Sequence, residues 1–356
     1  MKRPTWPTAS LWLVAAALAT GCQTMPPTPE WELQNPIRPL PASPLGIDQT
    51  LADLPEPPTP ERARLGRWLF YDARISANGS ISCASCHRPE NAFSEPTAVS
   101  TGIGGQTGTR KSPTFVNAAF AFYPNFFWDG RASSLEEQAL GPIANPIEMG
   151  STHDQMIQTL TEIAAYKPYF VEAFGSDEIT TDRVAKAIAD YERTCLSGNS
   201  PWDRWRKNKD EAAVSDEVKL GHEVFFGKAA CSTCHVGQNL TDSLFHNLGV
   251  GWNEDTQTFA DEGRFAVTGE EAHKGAFKTP TLRDVALHAP YLHDGSAASL
   301  EDVVELYDDG GKANPYLDPK VKELGLTAAE VHALVAFMEA LTGDIEREKP
   351  LTVFPK

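Results

Sequence analysis

The sequence lacks any apolar run long enough to cross a membrane, which excludes a spanning helix as its anchor. Its most apolar segment, residues 11–19, follows two basic residues and ends in small residues just before Cys22. This pattern predicts a secretory signal peptide over residues 1–21, with Cys22 as the acylated first residue of a bacterial lipoprotein. The alternative is an ordinary signal peptide whose cleavage falls near a chance cysteine. Because Gln23 rather than aspartate follows Cys22, we expect a periplasmic protein that is lipid-anchored to the outer membrane.

Positive charge is also scarce. The chain has 31 lysines and arginines against 48 aspartates and glutamates, a net charge of −17. An acidic surface excludes nucleic acid as a partner and favours basic proteins that diffuse to it. Solubility alone is the alternative explanation of the charge.

Sustained alternation of apolar and polar residues is missing as well, so extensive β-structure is not expected. Amphipathic helical patterns dominate from residue 61 onward and are separated by glycine, proline and asparagine turns. The preceding segment, residues 22–60, is rich in proline and has no periodicity, which predicts an extended tether. The expected fold class is therefore mainly α.

There are only six cysteines, and four of them form two identical motifs. Cys195 has no partner and is expected to be a buried, inert thiol. A Cys-x-x-Cys-His motif in an exported protein indicates haem c, because the thiols bind the haem covalently and the histidine ligates its iron. A redox disulfide would need no histidine, and a zinc site would need a second ligand pair. The motifs are Cys83, Cys86 and His87, and Cys231, Cys234 and His235.

The two motifs belong to an internal repeat. Residues 111–114 match residues 278–281, and residues 129–136 match residues 294–301 without a gap. The repeat predicts two cytochrome c-like haem domains, over residues 61–205 and 206–356. Counting on from the paired aspartates places Pro142 opposite Tyr307. Proline has no donor atom, which would leave the first haem open, whereas Tyr307 is either a ligand of the second iron or part of the core.

Residues 127–132, 137–149, 278–287 and 289–291 closely resemble the bacterial dihaem cytochrome c peroxidases and the related MauG-type enzymes. The similarity extends from about Glu61 to Thr342. It implies that residues 61–205 bind the peroxidatic haem and residues 206–356 the electron-transfer haem.

The resemblance also assigns roles to individual residues. Gln138, Pro142 and Glu148 match the distal pocket of the peroxide-binding haem, and Trp128 matches the tryptophan that relays electrons between the haems. Tyr307 falls where classical peroxidases have a methionine ligand and MauG-type enzymes a tyrosine. Met338 is the alternative ligand.

Three departures from the family matter. No histidine occurs between Arg88 and Thr152, where classical members carry one that blocks the peroxidatic haem, so we expect this haem to be open even when fully oxidised. Lys111 replaces an asparagine of the family's calcium site, and its positive charge argues against calcium. Ala229 replaces the surface tryptophan with which MauG-type enzymes oxidise a protein substrate.

The expected function is reduction of hydrogen peroxide, with two covalently bound haems and electrons from a small donor protein such as cytochrome c or a cupredoxin. Oxidation of a residue on a partner protein is the alternative, followed by a non-catalytic dihaem electron carrier. A homodimer stays open.

Overall fold

The computed structural model describes residues 1–2, 27–345 and 349–356, so Cys22 and most of the expected signal peptide lie outside the described residues. About 41% of the chain is helical, in agreement with the mainly α prediction. The helices are α1 Glu30–Gln34, α2 Pro60–Tyr71, α3 Cys83–Cys86, α4 Leu135–Ala144, α5 His153–Glu162, α6 Lys167–Phe174, α7 Thr181–Arg193, α8 Pro201–Asn208, α9 Asp216–Phe226, α10 Phe265–Thr268, α11 Leu300–Asp308 and α12 Ala328–Glu339.

Strands are short and occur only after the second motif within the described part of the chain. They are β1 Phe245–Asn247, β2 Trp252–Asn253, β3 Thr258–Phe259 and β4 Ala276–Lys278. β1 pairs antiparallel with β4, with Phe245 opposite Lys278, and β2 pairs antiparallel with β3. Both small sheets lie in the connection between the second motif and α11.

Helix α2 is the centre of the first hydrophobic cluster. The Thr59 side chain accepts a hydrogen bond from the Arg62 amide and Pro60 opens the helix, which together fix its start. Leu65, Trp68 and neighbouring apolar residues are then fully buried against α7. Gly66 permits this close crossing, because a β-carbon there would lie 1.8 Å from the Ala187 carbonyl oxygen.

Helix α9 occupies the same position in a second cluster, where it crosses α12. Gly221 permits this contact in the same way, since a β-carbon there would lie 1.9 Å from the Ala333 carbonyl oxygen. Phe225 and Phe337 lie at the centre of the second cluster.

Equivalent local features follow each motif. The Thr114 hydroxyl donates to the Ala92 carbonyl at 2.6 Å, and the Thr281 hydroxyl donates to the Asn239 carbonyl at 2.6 Å. Ser134 caps α4 and Ser299 caps α11, each through its hydroxyl. The matched sequence runs therefore adopt matched conformations.

The tether prediction is wrong for residues 27–60, because the structure packs this segment on the folded body. Ile47 and Leu51 are buried with Phe120 and Leu196 in a small third cluster. Removal of this apolar surface from water stabilises the packed arrangement.

The predicted division at residue 205 also differs from the structure. It cuts through α8, whose Trp202 packs on Phe337 with ring centroids 6.2 Å apart. The final residues belong with the first cluster rather than the second, since Leu351 is buried there and the Arg74 guanidinium donates to the Pro355 carbonyl at 2.9 Å.

Candidate active site

The first Cys-x-x-Cys-His motif forms the single turn α3, with His87 directly after it. The His87 Nδ1–H donates to the Phe93 carbonyl at 2.9 Å, which fixes the tautomer and leaves Nε2 as the ligating atom. Burial lowers the pKa of His87 and keeps its imidazole neutral, as metal ligation requires.

The second motif repeats this arrangement. The His235 Nδ1–H donates to the Leu240 carbonyl at 2.9 Å, and burial lowers the pKa of His235. Phe93 and Leu240 both have positive φ, 58° and 50°, so the same left-handed residue presents the carbonyl in each case. Both histidines are therefore oriented by a backbone carbonyl that accepts from Nδ1.

A cavity of 670 Å³ opens in front of His87, within the size range of small-molecule and cofactor pockets. The structure brings together in this cavity all the residues that the sequence assigned to the first site: Cys83, Cys86, His87, Trp128, Gln138, Pro142 and Glu148. Asn239, Thr241 and Lys278 line it from the second half of the chain, so the cavity reaches the junction of the two halves.

Gln138 and Pro142 lie one helical turn apart on α4 and thus on one face of that helix. Pro142 offers no side-chain ligand atom. Among the described residues that line the cavity, His87 is the sole histidine. The side of the cavity formed by α4 therefore offers the Gln138 amide among apolar residues and supplies no second imidazole.

Glu148 lies in a turn after α4 that is fixed by hydrogen bonds of its backbone and side chain. Its carbonyl accepts from the Ile103 amide at 2.8 Å, and its Oε1 accepts from the Asn145 side-chain amide at 2.7 Å. Burial raises the pKa of Glu148, and the hydrogen bond from Asn145 opposes that shift. A carboxyl group of this kind can exchange a proton closer to neutral pH than an ordinary glutamate.

Trp128 lies between the two halves of the molecule. Its indole N–H donates to the Lys111 carbonyl at 2.8 Å, and its own carbonyl accepts from the Lys278 amide at 2.8 Å. The His293 ring stands edge-on to the indole, with centroids 6.5 Å apart. Partners from both halves thus fix the indole.

Tyr307 projects from α11 toward the second motif. Burial raises the pKa of the Tyr307 phenol well above its usual value, and the nearby thiols of Cys231 and Cys234 raise it further. Met338 instead lies within the second hydrophobic cluster beside Phe337 and is 7% exposed.

The comparisons with known proteins agree with one another. A family model described as di-haem cytochrome c peroxidase matches residues 60–211. The chain is 40% identical to the methylamine utilization protein MauG of Methylorubrum extorquens, over 81% of this chain and 80% of that protein. It is 39% identical to the cytochrome c551 peroxidase of Nitrosomonas europaea, over 81% of this chain and 82% of that protein. This chain belongs to the di-haem cytochrome c peroxidase and MauG family.

A solved structure supports the same assignment. The crystal structure of a MauG-like protein associated with microbial copper homeostasis superposes with a TM-score of 0.75 at 30% identity, covering 87% of this chain and 94% of that one. Family membership implies two haem cofactors, and the two motifs with their oriented histidines are the residues that fit them.

Lys278 is a residue of the first site that sequence reasoning missed, although it was part of the repeat. Burial lowers the pKa of the Lys278 ammonium to about 8, and no carboxylate pairs with it among the described residues. A cation that lines the cavity without an anionic partner fits a haem, whose propionates are anions.

Glu192 was also missed. It lies on α7, lines the same cavity and is 4% exposed. A glutamate within an amphipathic helix gives no signal in sequence that separates a buried position from a solvated one, so only the structure could find it.

The Lys111 ammonium, 4% exposed, donates to the carbonyls of Glu95 and Thr97. Burial lowers the pKa of Lys111 to about 8. A lysine thus directs its own positive charge at backbone oxygens near the junction of the two halves.

Cys195 is buried, as predicted.

Cys234, Asp242 and His246 lie close enough together to resemble a metal site. The His246 imidazole, however, pairs with Asp242 at 3.0 Å and with Asp318 at 2.5 Å. Burial alone would lower the pKa of His246, but its interactions with Asp242, Cys234 and Asp318 raise it to about 10, which favours the protonated ring over a metal ligand. Among the described residues, no helix is long and apolar enough to cross a membrane.

Proposed function

We propose that this protein reduces hydrogen peroxide to water at an open haem c attached to Cys83 and Cys86 and ligated by His87. A second haem c, attached to Cys231 and Cys234, relays electrons from a periplasmic donor protein. One observation carries the proposal: the cavity in front of His87 holds a carboxyl group and an amide but offers no second imidazole among its described lining residues.

When bound, the first haem supplies the iron at which the oxygen–oxygen bond of peroxide is broken. Glu148 accepts the proton of the near oxygen and returns it to the far oxygen, which then leaves as water. Its raised pKa suits both steps, because the carboxyl group can hold and release a proton closer to neutral pH than an ordinary glutamate. Gln138 orients peroxide by hydrogen bonding, and Pro142 leaves the ligand position free.

Lys278 would hold a propionate of the first haem from the opposite half of the chain. Trp128, fixed between Lys111 and Lys278, provides the path for electrons between the two sites. The short hydrogen bonds at both ends of Trp128 keep this path rigid.

Tyr307 is proposed as a ligand that would bind the iron of the second haem, together with His235. Its position beside the thiols of Cys231 and Cys234 supports this choice, whereas Met338 lies among core side chains. An anionic oxygen ligand stabilises oxidised iron, while methionine raises the reduction potential. Oxidation by peroxide would then be shared between both haems without prior reduction.

The second candidate is oxidation of a residue on a partner protein, as in MauG-type enzymes. Tyr307 favours it, because a tyrosine-ligated haem is a poor entry port for electrons. Ala229 opposes a simple transfer of the MauG route, since it is 7% exposed and offers no aromatic surface group. A non-catalytic electron carrier is disfavoured because it needs both irons six-coordinate, whereas this cavity has Glu148 beside Pro142.

For its location we propose the periplasm, with a lipid anchor at Cys22 in the outer membrane. The support is the sequence pattern around Cys22 and the acidic composition, which suits small basic donor proteins.

The test is peroxide consumption by the purified two-haem protein with reduced cytochrome c or a reduced cupredoxin as donor. Rapid peroxide-dependent oxidation of either donor supports the proposed peroxidase. Peroxide consumption without oxidation of any small donor favours the partner-protein candidate. If peroxide is not consumed under either condition, the proposal is wrong.

A further inference from the structure

A buried carboxyl group on the α7 wall of the first cavity has no role in the chemistry described so far. Glu192 is 4% exposed and lines the cavity, and its Oε2 has no hydrogen-bond partner among the described residues. A buried acceptor without a partner costs free energy, and a buried charge costs more. An amide or apolar side chain would serve better if the position were only structural.

The charged groups around Glu192 leave it without a counter-ion. Arg193, the neighbouring cation, is engaged by Glu136 at 2.8 Å and by Asp190 at 3.1 Å. From α2, the Arg62 guanidinium also pairs with Asp190. The positive charges of this region are thus held by other carboxylates.

Electrostatics around Glu192 therefore favour its neutral form. Burial raises the pKa of Glu192 to about 8; the Arg193 charge opposes this shift and the Glu136 charge adds to it. The third charged or ionisable neighbour is the Cys83 thiol on α3, whose pKa Glu192 in turn raises. In the proposed function this thiol is bonded to the haem and no longer titrates.

Glu148 differs from Glu192 in every respect that matters for its task. The Asn145 side-chain amide donates a hydrogen bond to Glu148 and so orients its carboxyl group. The Arg131 charge lowers the pKa of Glu148 and so offsets part of the effect of burial. Glu192 projects from a different helix, its Oε2 has no hydrogen-bond partner among the described residues, and the one cation that lowers its pKa, Arg193, is already paired with Glu136 and Asp190. Two carboxyl groups in one cavity whose environments differ in this way are suited to different proton transfers.

We propose that Glu192 is the proton-binding group that balances the charge of the first haem, an inference that rests on the proposed haem at His87. At a pH where the Glu192 carboxylate is ionised, one proton from solvent binds it when one electron enters the iron, and the proton is released when the electron leaves. No bond of the haem changes, and the charge in the cavity stays constant. The coupling is strong because charges that share a poorly hydrated cavity interact far more strongly than in water.

The experiment is a spectroelectrochemical titration of the His87-bound haem from about pH 6 to about pH 10, a range that brackets the pKa of Glu192. In the wild-type protein the midpoint potential is expected to fall with rising pH around pH 8. In Glu192→Gln this dependence should weaken, since the amide cannot ionise, whereas Lys111 and Lys278, whose pKa values also lie at about 8, titrate in both proteins. The matched control Glu162→Gln removes an exposed helical carboxyl group and should retain the wild-type curve.

A second measurement uses the wild-type protein alone and therefore does not depend on whether a variant folds. Redox-difference infrared spectra of the wild-type protein above pH 8 should show a protonated-carboxyl band that appears on reduction and shifts in D₂O. A wild-type potential independent of pH across this range, or an unchanged dependence in Glu192→Gln, would overturn the inference. Neither readout requires turnover, so a failure here is separable from a failure of the peroxidase assignment.

Discussion

At the scale of single residues, the two histidines show how the backbone prepares a ligand. His87 and His235 each donate Nδ1–H to a carbonyl that a left-handed residue presents. Ring rotation is restricted before a cofactor binds, so little orientational freedom remains to be lost. Among the glutamates that line the first cavity, Glu148 accepts a hydrogen bond from Asn145, whereas Glu192 Oε2 has no hydrogen-bond partner among the described residues.

Replacement of Glu148 by glutamine tests its proton transfer. We expect kcat/KM for peroxide to fall by about 10²–10⁴, because an amide cannot accept and return the proton. In the wild-type protein, kcat/KM should fall on acidification through a pKa above that of an ordinary glutamate, since protonation removes the base. Stopped-flow kinetics across pH measure both effects. Glu162→Gln, at an exposed helical position, is the control; equal rates in both variants would contradict the role of Glu148.

Replacement of Tyr307 by methionine tests the ligand of the second haem. We expect its reduction potential to rise, because a thioether stabilises reduced iron where a phenolate stabilises oxidised iron. Redox titration and electron-spin-resonance spectra report the change. Met338→Leu should leave both unchanged, and so should Tyr316→Phe, which removes a hydroxyl that bonds to Glu271. A changed spectrum in Met338→Leu with none in Tyr307→Met would assign the ligand to Met338.

Residues with a motif could be predicted from the sequence, and residues without one could not. Fixed spacing marks the cysteines and histidines of the two motifs and the residues from Trp128 to Glu148. The structure brings the marked residues of the first site together in one cavity. Glu192 escaped because a charged residue in an amphipathic helix is usually solvated, and Lys278 escaped because the repeat marks its position without showing which cavity it lines. Their burial depends on which elements pack over them, and local sequence does not encode that.

At the scale of elements, each half is organised by one close crossing of two helices. α2 crosses α7 and α9 crosses α12, and a glycine at each contact admits the carbonyl of the facing helix. Such a contact couples helix position to the site, because α7 carries Glu192 and α2 leads into the first motif.

Gly66→Ala and Gly221→Ala test these crossings. Alanine favours an isolated helix by about 1 kcal/mol, yet here we expect a loss of about 1–3 kcal/mol in the free energy of unfolding. The reason is that the new β-carbon would lie 1.8 Å or 1.9 Å from a backbone oxygen, which forces the helices apart. Urea unfolding measures the loss. Gly108→Ala, whose nearest contact would be 3.9 Å away, is the control, and stabilisation by either helix variant would contradict the account.

Capped helices could be predicted at this scale, as Ser299 and Asp302 at the start of α11 show. The short 3₁₀ turns and two-residue strands between helices carry no periodicity of their own. Tertiary contacts around the motifs determine them, so they could not be predicted.

At the scale of the whole molecule, segments distant in sequence join the two halves. Arg283 is fully buried, and its guanidinium bonds to Asp203 at 2.6 Å, to the Gln238 carbonyl at 2.8 Å and to the Gly46 carbonyl at 3.4 Å. It therefore ties the N-terminal segment and α8 to the second half. The proline-rich composition of residues 22–60 gave no sign of this packing, because the partners of Ile47 and Leu51 come from later in the chain.

Arg283→Met tests this junction. We expect a loss of about 3–5 kcal/mol in the free energy of unfolding, because Asp203 would remain buried without its cation. Asp203→Asn should also destabilise, and the double variant should lose less than the two single losses combined. Chemical unfolding of all three variants completes the cycle. Strict additivity would show that the buried pair is not coupled.

The central claim, an open first haem coupled to a second haem that Tyr307 ligates, is tested most directly by adding one equivalent of hydrogen peroxide to the fully ferric protein. Optical and electron-spin-resonance spectra follow both haems at once. We predict loss of both the high-spin and the low-spin ferric signals, because the proposed first site is open and the proposed Tyr307 ligand would stabilise oxidised iron at the second. No reaction until the protein is half reduced would contradict the account and indicate a classical, reductively activated peroxidase.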